Sequence, residues 1–316
     1  MTRPRRLLQM QGVVLDLVYE VEAIPASGEE AVVTGFARAP GGGFNAMAAA
    51  RRSGLPATCG CRVGTGPFAD VVAEGLAAEG IDTALPRLPD RDQGVCVVLV
   101  EPSGERSFVH HDGAESRIAD ADLAALDLAA FGWTILSGYM LHYPAGRDAL
   151  ARWLWREAAI PCLLFDPSPL AAALPAEALR AALGRAAWVS ANVAEAAALT
   201  GLADPAEAAA RLADGRPTDG GAVVRAGAAG CVVAAGGRVT PVPGFAVDPV
   251  DTTGAGDAHL GAFVAALADG AEPVAAARYA NVAAALSTTR RGPATAPDRQ
   301  TIERAMRETT DGANAG

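Results

Sequence analysis

From about Cys59 onward, short β-favouring runs take turns with Ala/Leu-rich stretches of helical character, and this alternation governs what the chain can become. Strand candidates fall at Thr134 to Leu136, Leu163 to Phe165, Trp188 to Val189 and Ala222 to Val224. They are apolar at consecutive positions, as suits parallel strands covered by helices on both faces. The spacing predicts an α/β fold with a mainly parallel central sheet and ligands at the carboxyl ends of its strands. Two segments, Gly12 to Arg38 and Gly94 to His111, break the rhythm and read as strands with few helical signals. Pro102, Ser103 and Gly104 mark a hairpin turn in the second. Together they predict a small sheet projecting from the main body, built from two separate pieces of chain. No repeat or linker divides the 316 residues, so positions 1–316 read as one domain with that appendage, and the tail after Thr309 is expected to fray.

With 51% hydrophobic and 20% charged residues, the chain can bury a sizeable core. Its net charge of -10 disfavours a broad cationic face for nucleic acid, which leaves small solutes as the expected partners. No apolar run reaches membrane-spanning length, and Asp16 arrives before an adequate signal-peptide core, so a cytoplasmic, membrane-free location is expected. The five cysteines are scattered without a CxxC pair and read as buried thiols. His110 and His111 are neighbours on a strand candidate and would face opposite ways, which argues against a shared zinc. All 26 basic residues are arginines. Without lysine there is no Walker A loop, no protein-kinase strand lysine and no Schiff-base nucleophile. Phosphate chemistry in this chain must use backbone amides and arginine.

The strongest motif is Asp251-Thr252-Thr253-Gly254-Ala255-Gly256-Asp257, followed by a helical pattern with Leu260, Phe263, Val264 and Leu267 on one face. Glycines at a helix N-terminus let amides approach a phosphate, and the helix dipole favours the charge developing there. Asp257 would stand in the first turn, ionised at neutral pH and able to accept a hydroxyl proton. A Gly-rich turn with an acidic cap is the bland alternative for so short a string.

The whole string resembles the ribokinase/PfkB family of carbohydrate and nucleoside kinases, and the resemblance covers nearly the entire chain. Asp16, Gly41-Gly42 with Asn45, Asn192-Val193-Ala194-Glu195, Val224-Arg225-Ala226-Gly227 and Asp251 to Asp257 follow one another in the family's order. The resemblance implies a ribokinase-like three-layer α/β/α fold and transfer of the ATP γ-phosphoryl group to a hydroxyl of a sugar or nucleoside. It makes Asp257 the base and assigns the anion hole to the amides of Ala255, Gly256 and Asp257, with Gly254 shaping the turn. Asp16, Gly41, Gly42 and Asn45 would hold the acceptor. Asn192 and Glu195 would organise Mg²⁺ through its waters, and Arg225, Gly227 and Asn281 would face the nucleotide. Asp251 and Thr253, beside Ser287 to Gly292, resemble the K⁺ loop of some relatives. The two β segments, about 12–38 and 94–111, would form a lid through which a homodimer could assemble. Capping roles for Asn45 and for the Asn192/Glu195 pair, and a solvated surface charge for Arg225, are the structural alternatives.

Gly64-Thr65-Gly66-Pro67-Phe68-Ala69 also fits a loose dinucleotide fingerprint, which keeps an NAD(P)-dependent oxidoreductase in view. Pro67 lacks an amide hydrogen, and no Tyr/Lys dyad exists without lysine. A catalytically silent sugar-binding protein of the same fold is the nonenzymatic alternative. Departures from the family pattern include Gly66 in place of an Asp, His259 where Phe is frequent, and no acidic sugar ligand around Ser137-Gly138-Tyr139. Tyr139 or His111 is expected to meet the acceptor's ring.

Overall fold

The computed structural model describes residues 4–314, with side chains through residue 308. In chain order its strands are β1 (Leu7–Met10), β2 (Val13–Val21), β3 (Val33–Gly42), β4 (Ala57–Cys59), β5 (Asp82–Thr83), β6 (Val95–Val100), β7 (Arg106–His111), β8 (Trp133–Ser137), β9 (Cys162–Asp166), β10 (Trp188–Asn192), β11 (Gly221–Arg225), β12 (Gly230–Ala235) and β13 (Arg238–Pro243). Nine of them make one sheet in the order β13-β12-β11-β10-β9-β8-β1-β4-β5. Its ladders are parallel except where β12 and β13 fold back as an antiparallel edge. Every residue of β1, β4 and β8 is buried, which requires cover on both faces, and helices supply it to give the α/β/α layering.

The main sheet starts earlier in the chain than the sequence suggests. β1 lies mid-sheet between β8 and β4, although no helix follows it. Only Gln11 and Gly12 separate it from β2, so the chain passes from one sheet to the next within two residues, through a bend at Gln11. A Cβ at Gly12 would meet the Glu115 side chain at 2.6 Å, so a larger residue would not fit at this crossing. The C-terminal tail differs too: helix Arg299–Asn314 carries the backbone through most of the segment expected to fray, and residues 315–316 lie outside the described part.

The two β segments form a second, four-stranded sheet in the order β3-β2-β6-β7. β2 pairs antiparallel with β3 and parallel with β6, and β6 pairs antiparallel with β7 across the turn at Pro102 to Gly104. Asp16, Cys96 and His110 are cross-strand neighbours facing the nine-stranded body. Their strand neighbours Val97 and Val109 therefore face outward, as do Tyr19, Leu99 and Phe36. That outward face is apolar and exposed, with Phe36 58% and Val109 63% accessible. Among the described residues no helix is long and apolar enough to cross a membrane.

Candidate active site

Helix Ala255–Ala268 begins where Gly254 adopts φ +75°, and a Cβ there would run into the Pro293 carbonyl. The helix is held by an edge-on contact between Phe263 and Trp188 of β10, ring centroids 5.3 Å apart, and such a pair adds roughly 0.5–1.5 kcal/mol. It crosses helix Gly43–Arg52 at Gly261, where a Cβ would strike Ala46 O and lie 2.8 Å from Ala50 N. This close crossing brings Asn45 to Asp257: Asn45 Nδ2 donates to Asp257 Oδ2 at 3.1 Å. Asn45 sits inside the helix, not at its cap, and its Oδ1 is buried without a partner among the described residues.

Two cavities meet at this point. One, of about 460 Å³, is lined by Asp16, Gly42, Asn45, Asp166, Glu195 and Asp257 together with the aromatic rings of Phe108, His110, Tyr139 and Tyr143. The other, of about 620 Å³, is lined by Gly227, Phe245, Val247, Ala255, His259 and Asn281. Asn192, Arg225 and Gly256 line both. The Ala255 amide donates to Thr252 O at 3.3 Å. The amides of Gly256 and Asp257 have no partner among the described residues and remain available to an anion, so the expected trio of donors is reduced to two.

Burial pushes Asp257 up to about 6; the Asn45 hydrogen bond opposes the shift, and the Asp166 charge adds to it. Desolvation outweighs the stabilisation expected from the helix dipole, yet the group remains mostly ionised at pH 7. Burial, then repulsion from Asp257, lifts Asp16 to about 7, which places it midway through its titration at neutral pH. Gly41 does not line the cavity. It stands behind Asp16, whose carboxylate fills the space a Cβ would need, while Gly42 at φ +60° turns the chain into helix Gly43–Arg52.

Asn192 and Glu195 make a reciprocal cap on helix Val193–Thr200, Asn192 N donating to Glu195 Oε2 at 2.7 Å and Glu195 N to Asn192 Oδ1 at 2.8 Å. Capping and a place in the cavity lining therefore coexist. Arg225 is not a solvated charge. Its guanidinium donates to Asp166 at 3.0 Å, to Ser190 Oγ at 2.8 Å and to Glu195 at 3.4 Å. Desolvation opposes its charge, but Asp166 and Glu195 more than compensate and hold it protonated. Glu195 is pushed upward by burial and by Asp166, against the pull of Arg225. Asn281 donates to Val242 O and Pro243 O at 3.2 and 3.0 Å, which anchors β13 beside the larger cavity. His259 is buried without a good hydrogen-bond partner, although Asn281 is close enough to bias its titration, and burial, then Arg225, keep it neutral with a pKa near 3. Asp251 lines neither cavity, whereas Thr253 lines the smaller one.

Several site residues were not expected. Glu115 is fully buried, accepts the Gly94 and Gly113 amides at 2.8 Å, and is pushed upward by burial. His110 meets the Tyr143 hydroxyl at 2.7 Å, tying β7 to the body, while His111 faces away from the cavity. Asp166 ends β9, where the rule placing ligands at strand carboxyl ends could have found it. The Gly64-Thr65-Gly66 turn lines neither cavity. The amides of Phe68 and Ala69 donate to Asp92 at 3.2 and 2.7 Å, and this carboxylate fills the space beside Gly66. The helix end that a dinucleotide would need already holds an anion, and the oxidoreductase alternative is not favoured.

The chain is similar to known proteins over most of its length. The model of the pfkB family carbohydrate kinases matches residues 11–300. The uncharacterized sugar kinase YegV of Escherichia coli is 28% identical over 315 residues, covering 96% of this chain and 94% of its own. Ribokinase of Bacillus subtilis is 30% identical, covering 86% of this chain and 89% of its own. In fold, an Escherichia coli structure described as a ribokinase II with ATP and Mg²⁺ superposes with a TM-score of 0.80 at 22% identity, covering 98% of this chain and all of that one.

Proposed function

The chain belongs to the pfkB family of carbohydrate kinases, and from that premise we propose that it transfers the γ-phosphoryl group of ATP to a hydroxyl of an uncharged sugar or nucleoside. The observation that carries this reading is the junction of the two cavities at Asn192, Arg225 and Gly256, with Asp257 facing the smaller. An acceptor in the smaller cavity and a nucleotide in the larger one would meet beside a carboxylate and two unpaired amides.

Asp257 would take the acceptor proton, and Asn45 holds the carboxylate in its ionised form toward that hydroxyl. The Gly256 and Asp257 amides, with Arg225, would bear the charge on the transferred group; positioning and electrostatics supply most of the acceleration in such reactions. The likeness to an ATP- and Mg²⁺-bound neighbour supports the nucleotide assignment. The residues fit Mg²⁺ held through water: Glu195 lines the smaller cavity and Asn192 both, while no cluster of three metal-ligating side chains occurs among the described residues. When bound, Mg²⁺ would neutralise phosphate charge.

The acceptor is uncharged because the smaller cavity collects Asp16, Glu115, Asp166 and Asp257, and its one arginine, Arg225, is already paired with Asp166 and Glu195. A sugar phosphate or sugar acid would meet repulsion. The aromatic lining also accommodates a base, which keeps nucleosides beside sugars. The four-stranded sheet would act as a lid that excludes water, and its exposed outer face would pair two copies into a homodimer. Residues 1–316 would work as one cytoplasmic kinase unit. A potassium ion at Asp251 and Thr253 would enter beside the Arg106 guanidinium, and two cations on one carboxylate repel. Bound K⁺ therefore requires Arg106 to withdraw.

The test is MgATP-dependent ADP release across uncharged pentoses, hexoses and nucleosides, with sugar phosphates and sugar acids in parallel. Turnover confined to uncharged acceptors is expected. For a true substrate, removing the hydroxyl nearest Asp16 should lower kcat/KM by roughly 5- to 150-fold, since each stranded polar group costs about 1–3 kcal/mol. Tight sugar binding with no ADP release from any acceptor would instead support a silent binding protein.

A further inference from the structure

Asp251 opens the phosphate-binding motif, and its carboxylate is held from three directions. Oδ1 accepts the Thr253 amide at 2.8 Å and Arg106 Nη2 at 2.5 Å, and Oδ2 accepts the Gly292 amide at 3.0 Å. Arg106 is the first residue of β7, in the four-stranded sheet. The pair is largely shielded from solvent, with 20% of the arginine and 12% of the aspartate side chain exposed. Burial works against the charge on Asp251, but these hydrogen bonds and the guanidinium hold it below the ordinary carboxylate range. Thr253 leads directly to Gly254, the left-handed residue that sets the direction of the Gly256 and Asp257 amides.

A second tie reinforces the first. Val250 and Asp251 both donate to Thr288 O, at 2.7 and 2.9 Å, so the 250–254 and 288–293 segments are joined. Arg291, next to Gly292, pairs with Glu20 of β2 at 3.1 Å. This exposed pair contributes little by itself. Together with Arg106 it fastens the small sheet at two strands to the two segments that shape the phosphate turn.

We propose that Arg106 is a positioning residue: it braces Asp251, couples docking of the four-stranded sheet to the shape of the phosphate-binding turn, and fills the place where a monovalent cation would otherwise sit. Its kinetic consequence rests on the kinase reading; its effect on the turn does not. Lifting the sheet withdraws the guanidinium and leaves the Asp251 charge with two backbone amides. Docking over an acceptor restores the brace and fixes the turn.

The experiment compares full-length wild type, Arg106→Gln, Arg106→Lys and, as a control from the other face of β7, Ser107→Ala. Amide hydrogen exchange of residues 250–258 and 288–294 is expected to rise roughly fivefold in Arg106→Gln, less in Arg106→Lys and not at all in the control. With an active acceptor, kcat of Arg106→Gln should fall roughly 10- to 100-fold while KM for ATP stays within about twofold. K⁺ or guanidinium ion should restore part of that loss, and wild type should run equally fast in K⁺ and tetramethylammonium. Unchanged exchange at 250–258 in Arg106→Gln refutes the brace. A wild-type rate that rises in K⁺ refutes the claim that Arg106 fills the cation's place. Failure of wild type on every acceptor would overturn the kinase reading while leaving the exchange comparison decisive for the brace.

Discussion

Replacing Asn45 by Ala removes the hydrogen bond that opposes protonation of Asp257, and its effect should appear in the pH dependence of kcat. Asp257 sits at about 6, with the Asn45 donor at 3.1 Å favouring the ionised form. A hydrogen bond to a charged group is worth about 1.5–3 kcal/mol, and the 3.1 Å length argues for the lower end. At about 1.4 kcal/mol per unit, the folded-state pKa should rise by roughly one unit, to about 7. Turnover follows the ionised fraction, so activity is lost as pH falls through that value. At pH 6 the fraction drops from about one half to about one tenth, a roughly fivefold loss, whereas at pH 8 it stays near 0.9 or above. The assay is kcat at saturating acceptor and MgATP between pH 5 and 9, with circular dichroism to confirm folding. An acid limb that stays in place or moves to lower pH would refute the reasoning. A uniform loss at all pH values would confine Asn45 to acceptor contact.

Asp257→Asn should lower kcat by roughly 10²–10⁴-fold with nucleotide binding retained by calorimetry, and near-normal turnover would remove this carboxylate from the mechanism. Gly261→Val should force helices Gly43–Arg52 and Ala255–Ala268 apart, costing about 1–3 kcal/mol in urea unfolding and lowering kcat together with stability. An unchanged midpoint would show that the crossing can yield. Phe36→Asp combined with Val109→Asp, on the outer face of the small sheet, should convert a micromolar dimer to monomer in sedimentation velocity, and a dimer that persists would place the contact elsewhere.

The parts legible in the sequence were those whose signal is local. Consecutive apolar runs at Thr134, Leu163, Trp188 and Ala222 declared parallel strands because both faces of each are covered. The Asp251 to Asp257 string carried its own turn and helix start, with Gly254 at the N-cap and Asp257 in the first turn. What escaped depends on register between distant segments. Nothing near Glu115 announces that it will close the crossing between β1 and β2, and Arg106 lies far from Asp251 along the chain. His110 and His111 were separable by strand alternation, but which of them faces inward was set by pairing with Cys96 opposite Asp16. Burial, visible only once the chain is packed, moved Asp16 and Asp257 upward where a helix dipole and solvent would have left them lower.

The two halves of the small sheet are hairpins, β2 with β3 and β6 with β7, and each can form locally. They join only along the parallel ladder from Leu15 opposite Val95 to Glu20 opposite Val100, across all the intervening chain. That ladder must wait until helices Gly43–Arg52 and Pro67–Ala78 have packed and brought its strands together, so its loop-closure cost falls on a late step of folding. The order reverses under stress. Warming or mild denaturant should separate the β2–β6 ladder while the nine-stranded sheet still stands, taking Asp16, Cys96 and His110 out of the smaller cavity. Turnover is therefore expected to be lost before far-ultraviolet ellipticity on warming, and simultaneous loss of the two would show that both sheets melt as one unit.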